Sequence, residues 1–192
     1  MSEPSTPQPP PVYERELKFA GASLDALRDR LGELEAERSG QGTFEENWVF
    51  DREGELESSG RVLRLRTVGS SAWLTYKGPQ RFEGRVKLRI EHEIEIDRPE
   101  SARAMLEGLG YSAVRRYQKI RETWRLGGVI IALDHTPIGD FAEFEGEAAE
   151  RVARRFGFDP DRAERRSYLR LYADHRKEHP EAPPDMVFPD RG

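Results

Sequence analysis

Eight segments of this chain read as strands by alternation or β-rich composition, and most of them set an apolar face against an ionic one. In VYERELKF (12–19), Glu14, Glu16 and Lys18 fall on one side of an extended chain, because neighbouring side chains in a strand point to opposite faces. In 61–68, Leu63 and Leu65 alternate with Arg64 and Arg66; in 84–97, Ile90, Ile94 and Ile96 oppose Arg89, Glu91, Glu93 and Glu95. Lys119 and Arg121 share a face of 116–126, and Glu143 and Glu145 share a face of 141–146. Lys77 stands near the end of 71–78, Asp134 ends 129–135, and the remaining segment is TFEENWVFD at 43–51. An antiparallel sheet with one wet face alternates in this way without any function. That reading accounts less well for Arg, Lys, Glu and Asp, in place of Thr, Ser and Gln, on so many strands.

The charge needs a destination. Apolar residues make up 36% of the 192 and charged residues 35%, a lean core under a heavy ionic load. Segments 23–37, 99–109, 147–156 and 161–175 read as helices, several of them amphipathic, and these cover the apolar face of the sheet. The ionic face is then either open to water or rolled inward. Rolling it closed removes the sheet edges. It also makes a charged channel, which is tolerable only with a charged ligand inside.

Gly69-Ser70, Gly78-Pro79 and Gly127-Gly128 mark turns, the last a hairpin. One domain is expected over 12–175, between a disordered Pro/Ser-rich tail (1–11) and a polar, Pro-rich tail (176–192). There is no cysteine, so disulfides, thiolate metal sites and a Cys nucleophile are excluded. The net charge of −5, with acids and bases interspersed, argues against a nucleic-acid partner. No apolar run approaches about 18 residues and the N-terminus lacks signal-peptide character, so a cytoplasmic protein without a membrane partner is expected.

The ordered set Glu14-x-Glu16-x-Lys18, Leu63-Arg64-Leu65-Arg66, Thr75-Tyr76-Lys77-Gly78, Arg89-x-Glu91-x-Glu93, Lys119-x-Arg121, Asp134 and Glu143-x-Glu145-Gly146 resembles the CYTH superfamily. These triphosphate tunnel metalloenzymes include class IV adenylate cyclases, thiamine triphosphatases and inorganic triphosphatases. The resemblance spans roughly 12–170 and implies an α+β fold. In that fold a closed eight-stranded antiparallel barrel encloses a tunnel, with the helices packed outside. It implies that Glu14, Glu16 and Glu145, supported by Glu143 and Asp134, bind Mg²⁺ or Mn²⁺. It implies that Lys18, Arg64, Arg66, Lys77, Arg89, Lys119 and Arg121 hold a triphosphate, with Glu16, Lys77, Arg66 and Lys119 foremost in catalysis. The chemistry agrees, since hard divalent cations take carboxylate oxygens. Arg forks match phosphate bidentately, while Lys acts as a point charge.

Not every acid fits that role. Glu91, Glu93 and Glu95 are expected to pair with Arg or Lys across strands. Asp134 has a second reading as a cap on the turn at His135-Thr136-Pro137. His92 falls in the apolar register and reads as structural, and Trp73 shares the parity of Lys77. The expected activity is hydrolysis of a metal-bound triphosphate, whether inorganic, nucleoside or thiamine triphosphate. The alternatives are conversion of ATP to cyclic AMP and pyrophosphate, and polyphosphate binding without turnover. A homodimer is expected from the resemblance alone.

Overall fold

The computed structural model describes residues 13–39 and 42–189, so the expected N-terminal tail at 1–11 lies outside the described residues. The chain runs β1 (Tyr13–Ala20), α1 (Leu24–Glu33), β2 (Glu37–Arg38), β3 (Thr43–Asp51), α2 (Glu55–Ser58), β4 (Val62–Val68) and β5 (Ser71–Lys77). It continues through β6 (Arg81–Glu83), β7 (Val86–Ile96), α3 (Pro99–Gly108), β8 (Ser112–Leu126), β9 (Val129–Thr136), β10 (Gly139–Glu145), α4 (Ala149–Arg155) and α5 (Tyr168–Glu178). All eight long strands stand where the alternation puts them.

Pairing runs β1-β10-β9-β8-β3-β4-β5-β7, and β7 returns to β1, so eight antiparallel strands close into a barrel. The seam sets Glu14 opposite Arg89 and Glu16 opposite Lys87, while on its other side Glu16 faces Glu145. Closure leaves no long edge unpaired, which removes the usual hazard of a wide antiparallel sheet. The Gly127-Gly128 hairpin joins β8 to β9 with both φ positive, 55° and 78°, as a primed two-residue turn requires. Gly146, at φ 130°, lies so close to the Gly128 carbonyl that an added Cβ would meet it at 3.1 Å.

The helices pack outside. Leu27 and Leu31 of α1 and Val152 of α4 cover Leu17, Phe144 and Ile131, the outward side chains of β1, β10 and β9. Leu106 of α3 covers Phe50 and Leu65, and Tyr168 and Tyr172 of α5 pack with Phe141 and Tyr117. The short pieces depart from the sequence reading. Helix α1 stops at Glu33, because Glu35 takes a left-handed φ of 53°, and 37–38 then pairs with β8. Residues 160–162 make only one 3₁₀ turn, and α5 starts at Tyr168, where the Ser167 hydroxyl accepts from the Arg170 N–H at 3.3 Å.

The C-terminal stretch is docked. Helix α5 runs on to Glu178, and the chain beyond it lies against β8. Gln118 N–H donates to the Met186 carbonyl at 2.8 Å, Met186 N–H to the Arg116 carbonyl at 3.2 Å, and the Met186 side chain is fully buried. This strap covers the part of β8 that β9 does not reach, since the β8–β9 ladder begins only at Ile120.

Candidate active site

Strand alternation turns one side of every barrel strand inward, and those sides carry the charge. They line a cavity of about 530 Å³. Every residue expected to hold phosphate lies on its wall: Lys18, Arg64, Arg66, Lys77, Arg89, Lys119 and Arg121. Glu14, Glu16, Glu143 and Glu145 lie there too. Asp134, with no exposed surface, sits behind the wall.

The cations fall into two groups by what they touch. One group is held by carboxylates. Lys77 Nζ donates to Glu14 at 3.0 and 3.1 Å and to Glu91 at 2.9 Å. Lys18 lies 3.3 Å from Glu143 and 3.6 Å from Glu16. Arg66 donates to Glu93 at 3.0 Å while its guanidinium lies 4.8 Å from the Trp73 ring centre. Glu91 and Glu93 are thus the cross-strand partners their positions suggest, and Trp73 faces inward beside Arg66, one of the arginines expected to hold phosphate. The other group is held mainly by neutral oxygen. Arg64 donates to the Tyr117 hydroxyl at 3.2 Å and to Thr75 Oγ1 at 3.3 Å, with Glu93 farther off at 3.5 Å. Arg89 donates through Nε to the Gly78 carbonyl and through Nη2 to the Gly60 carbonyl at 2.9 Å. Burial lowers the pKa of Arg89, with Glu14 and Glu91 opposing.

The acids expected as metal ligands also divide. Asp134 accepts from Lys119 at 3.1 Å, from Arg121 at 2.7 and 2.6 Å and from the Tyr168 hydroxyl at 2.7 Å. That is a carboxylate positioning two tunnel cations from behind. Glu143 is engaged by Arg121 and Lys18. Burial would push its carboxyl up, but those cations and Lys119 hold it well below the usual range. Glu14, Glu16 and Glu145 form a third group, at the β1 seam. Glu16 is bonded by Lys87, a cation the sequence reading did not single out. Glu145 has no ion-pair partner among the described residues. Burial first, then the charges of Glu14 and Glu16, push its pKa up to about 7.

A crowded carboxylate set in which Glu145 has no cation partner among the described residues is a fit for a hard divalent cation, because clustered oxygen donors are what Mg²⁺ and Mn²⁺ bind. Among the described residues the carboxylates are not drawn in to metal-ligand spacing. Glu14 and Glu16 rest on Lys77 and Lys87 instead.

Two more inward groups escaped the sequence reading. Glu45 is buried at 3% exposure, 3.5 Å from both Lys119 and Arg66. Burial would raise its pKa, yet Lys119, Arg121, Arg66 and Arg64 together bring it down to about 2. Tyr168, the first residue of α5, reaches into the barrel. Lys18 Nζ lies 4.1 Å from its ring centre, and burial raises its hydroxyl pKa well above the ordinary value. Nothing marks either one in the sequence. Glu45 and Glu46 are adjacent, so alternation alone does not choose between them, and Tyr168 lies on a helix.

A closed antiparallel barrel with a cation-lined, carboxylate-seamed interior defines the class of tunnel barrels. The CYTH domain model matches residues 13–170, and the chain belongs to that family. A Methanocaldococcus jannaschii protein named "putative adenylate cyclase" is 25% identical over 142 residues, covering 67% of this chain and 81% of that one. A Vibrio parahaemolyticus structure, also described as a "putative adenylate cyclase", superposes with a TM-score of 0.73 at 28% identity, over 84% of this chain and 98% of that one. A Hippeastrum structure, described as a "putative adenylyl cyclase" with a dominant triphosphatase activity, shares the fold at TM-score 0.65 and 21% identity, over 84% and 96% of the two chains.

Proposed function

We propose that this chain is a divalent-metal-dependent hydrolase of triphosphates held inside the tunnel. One observation carries the reading: Glu145, crowded by Glu14 and Glu16 without a cation of its own among the described residues, stands in the same cavity as nine Lys and Arg side chains. A triphosphate with its metal supplies both missing charges. Glu14, Glu16 and Glu145 would hold Mg²⁺ or Mn²⁺, which when bound neutralises phosphate oxygens and makes phosphorus more electrophilic. Lys18, Lys77 and Lys119 offer point charges along the chain of phosphates. Arg64, Arg66 and Arg121 offer forks that match paired oxygens. Lys119 and Arg121 are already fixed by Asp134, Arg66 by Glu93 and Arg64 by Tyr117, so little reorganisation of these four accompanies the charge shift at phosphorus. Among the described residues no histidine lines the cavity.

The relatives' names favour a second reading, attack of the ATP ribose hydroxyl on the α-phosphorus to give cyclic AMP and pyrophosphate. The same ligands serve both reactions. Hydrolysis demands less of the pocket, and the Hippeastrum protein is described with both names. Incubation with Mg²⁺ or Mn²⁺ and ATP, tripolyphosphate or thiamine triphosphate decides. Orthophosphate and the corresponding diphosphate are expected as products, and cyclic AMP with pyrophosphate as the main products would overturn the hydrolase reading. Glu16→Gln is expected to abolish turnover, and Arg66→Ala to lower kcat by about 10²-fold or more through lost transition-state charge stabilisation. A polyphosphate-binding module without turnover predicts instead that Glu14→Gln/Glu16→Gln keeps or gains affinity in metal-free buffer.

A further inference from the structure

Asn47 of β3 points into the barrel, on the same strand face as Glu45 and Val49, which line the tunnel. It has no exposed surface, and neither its Nδ2 nor its Oδ1 has a hydrogen-bond partner among the described residues. A buried amide with both ends idle is uncommon and costly, because it has given up water for nothing in return. Its surroundings are specific. Asn47 lies opposite Arg66 on β4 and opposite Tyr117 on β8. Directly opposed side chains have Cβ atoms about 4.5–5.5 Å apart, within reach of each other. The Nε of Arg66 is likewise buried without a partner. An idle acceptor, Asn47 Oδ1, and an idle donor, Arg66 Nε, thus stand at opposed positions of one ladder without being joined.

Charge draws the guanidinium elsewhere. Arg66 Nη2 donates to Glu93 at 3.0 Å, and Nη1 lies 3.5 Å from Glu45. An arginine pinned by both terminal nitrogens cannot present them as a fork to an anion in the tunnel. Turning to a phosphate means leaving those carboxylates, and the guanidinium then needs another anchor. A carboxylate anchor would cancel charge that the phosphate requires. A neutral carbonyl oxygen fixes the guanidinium and leaves that charge intact, and Asn47 Oδ1 is such an oxygen. The same turn releases Glu45, whose Oε2 also lacks a hydrogen bond, to accept from Asn47 Nδ2.

We propose that Asn47 is a positioning residue: it takes up Arg66 Nε as the guanidinium leaves Glu93 and Glu45 for a phosphate, and so sets the direction of the fork. The inference rests on the tunnel holding a triphosphate, and the experiment separates the two. Asn47→Thr and Asn47→Val have nearly the same shape, but only threonine keeps an acceptor oxygen, so comparing them cancels packing. Kinetics use Mg²⁺ and tripolyphosphate; calorimetry uses Mg²⁺ and a non-hydrolysable imido-bridged triphosphate. Both variants are measured alone and combined with Arg66→Ala. Asn47→Val is expected to lie about tenfold below Asn47→Thr in kcat/KM and in affinity, and the difference to vanish on the Arg66→Ala background, as coupled residues require. Asn47→Asp matches the wild type in size and carries the test if the β-branched pair does not fold. It is expected to hold Arg66 by charge and to weaken the imido analogue about tenfold. Equal values for the Val and Thr variants, a difference that persists with Arg66→Ala, or undiminished affinity in Asn47→Asp would overturn the inference while leaving the tunnel intact. If the wild type neither hydrolyses tripolyphosphate nor binds the imido analogue in Mg²⁺, the tunnel reading falls and this inference with it.

Discussion

Glu145 illustrates how the proposed metal site would be stored as instability. Its carboxyl titrates near 7 in the folded chain against 4.5 ordinarily, raised by burial and by Glu14 and Glu16. A carboxylate with a raised folded pKa contributes stability that is present below its unfolded pKa and lost as pH rises through the folded value. The window here is about 4.5 to 7, and above it the ionised group costs roughly 1–3 kcal/mol. Glu145→Gln is therefore expected to raise the melting temperature by a few degrees at pH 8 in metal-free buffer while abolishing activity. An unchanged or lower Tm at pH 8, with the difference between variant and wild type flat from pH 5 to 8, would place the carboxylate in a relaxed environment. Glu45 shows the opposite arrangement: its carboxyl is held down at about 2 by four cations, so its contribution vanishes only in strong acid.

At the scale of elements, the long strands and their inward faces were legible because alternation has a period of two and a barrel needs that period on every strand. Leu17 in and Glu16 out, or the reverse, is a binary choice that the apolar neighbours settle. The hairpin at Gly127-Gly128 was legible for a similar reason, since few residues accept its dihedrals. What escaped was set by tertiary contact. Strands of two and three residues such as β2 and β6 have no period to read, and TFEENWVFD carries apolar residues on both faces. The strap after α5 reads as a polar, Pro-rich tail, yet it completes β8 and buries Met186. Met186→Ala should cost about 2–4 kcal/mol in chemical denaturation, as truncation in a packed core does. A loss under 0.5 kcal/mol would mean that the strap rests on the surface without supporting it.

The whole molecule is a sheet whose charged face was turned inward, so its stability should depend on its cargo to an unusual degree. A ligand that binds only the folded state stabilises by RT ln(1 + [L]/Kd), about 2.7 kcal/mol at a hundredfold excess over Kd. For a chain of this length that is a rise of roughly 5–10 °C in Tm. Mg²⁺ with a triphosphate is expected to produce it, and Mg²⁺ alone to produce less. A Tm indifferent to both would return the ionic faces to the status of ordinary wet sheet.

The seam between β1 and its two neighbours has a bearing on how the chain comes into being. Glu14 and Glu16 lie in the first described strand, yet Lys87 and Glu145, which face Glu16, are made much later by the ribosome. The opening strand must wait, unpaired, until β7 has been synthesised, and its second partner arrives only with β10. Pairings this distant in sequence carry a large loop-closure cost and slow the search for the native topology. Refolding by stopped-flow should accordingly fall in the millisecond-to-second range or slower. Substitutions at the seam, such as Leu17→Ala, should speed unfolding more than they slow folding, because the first strand made is the last to be locked in.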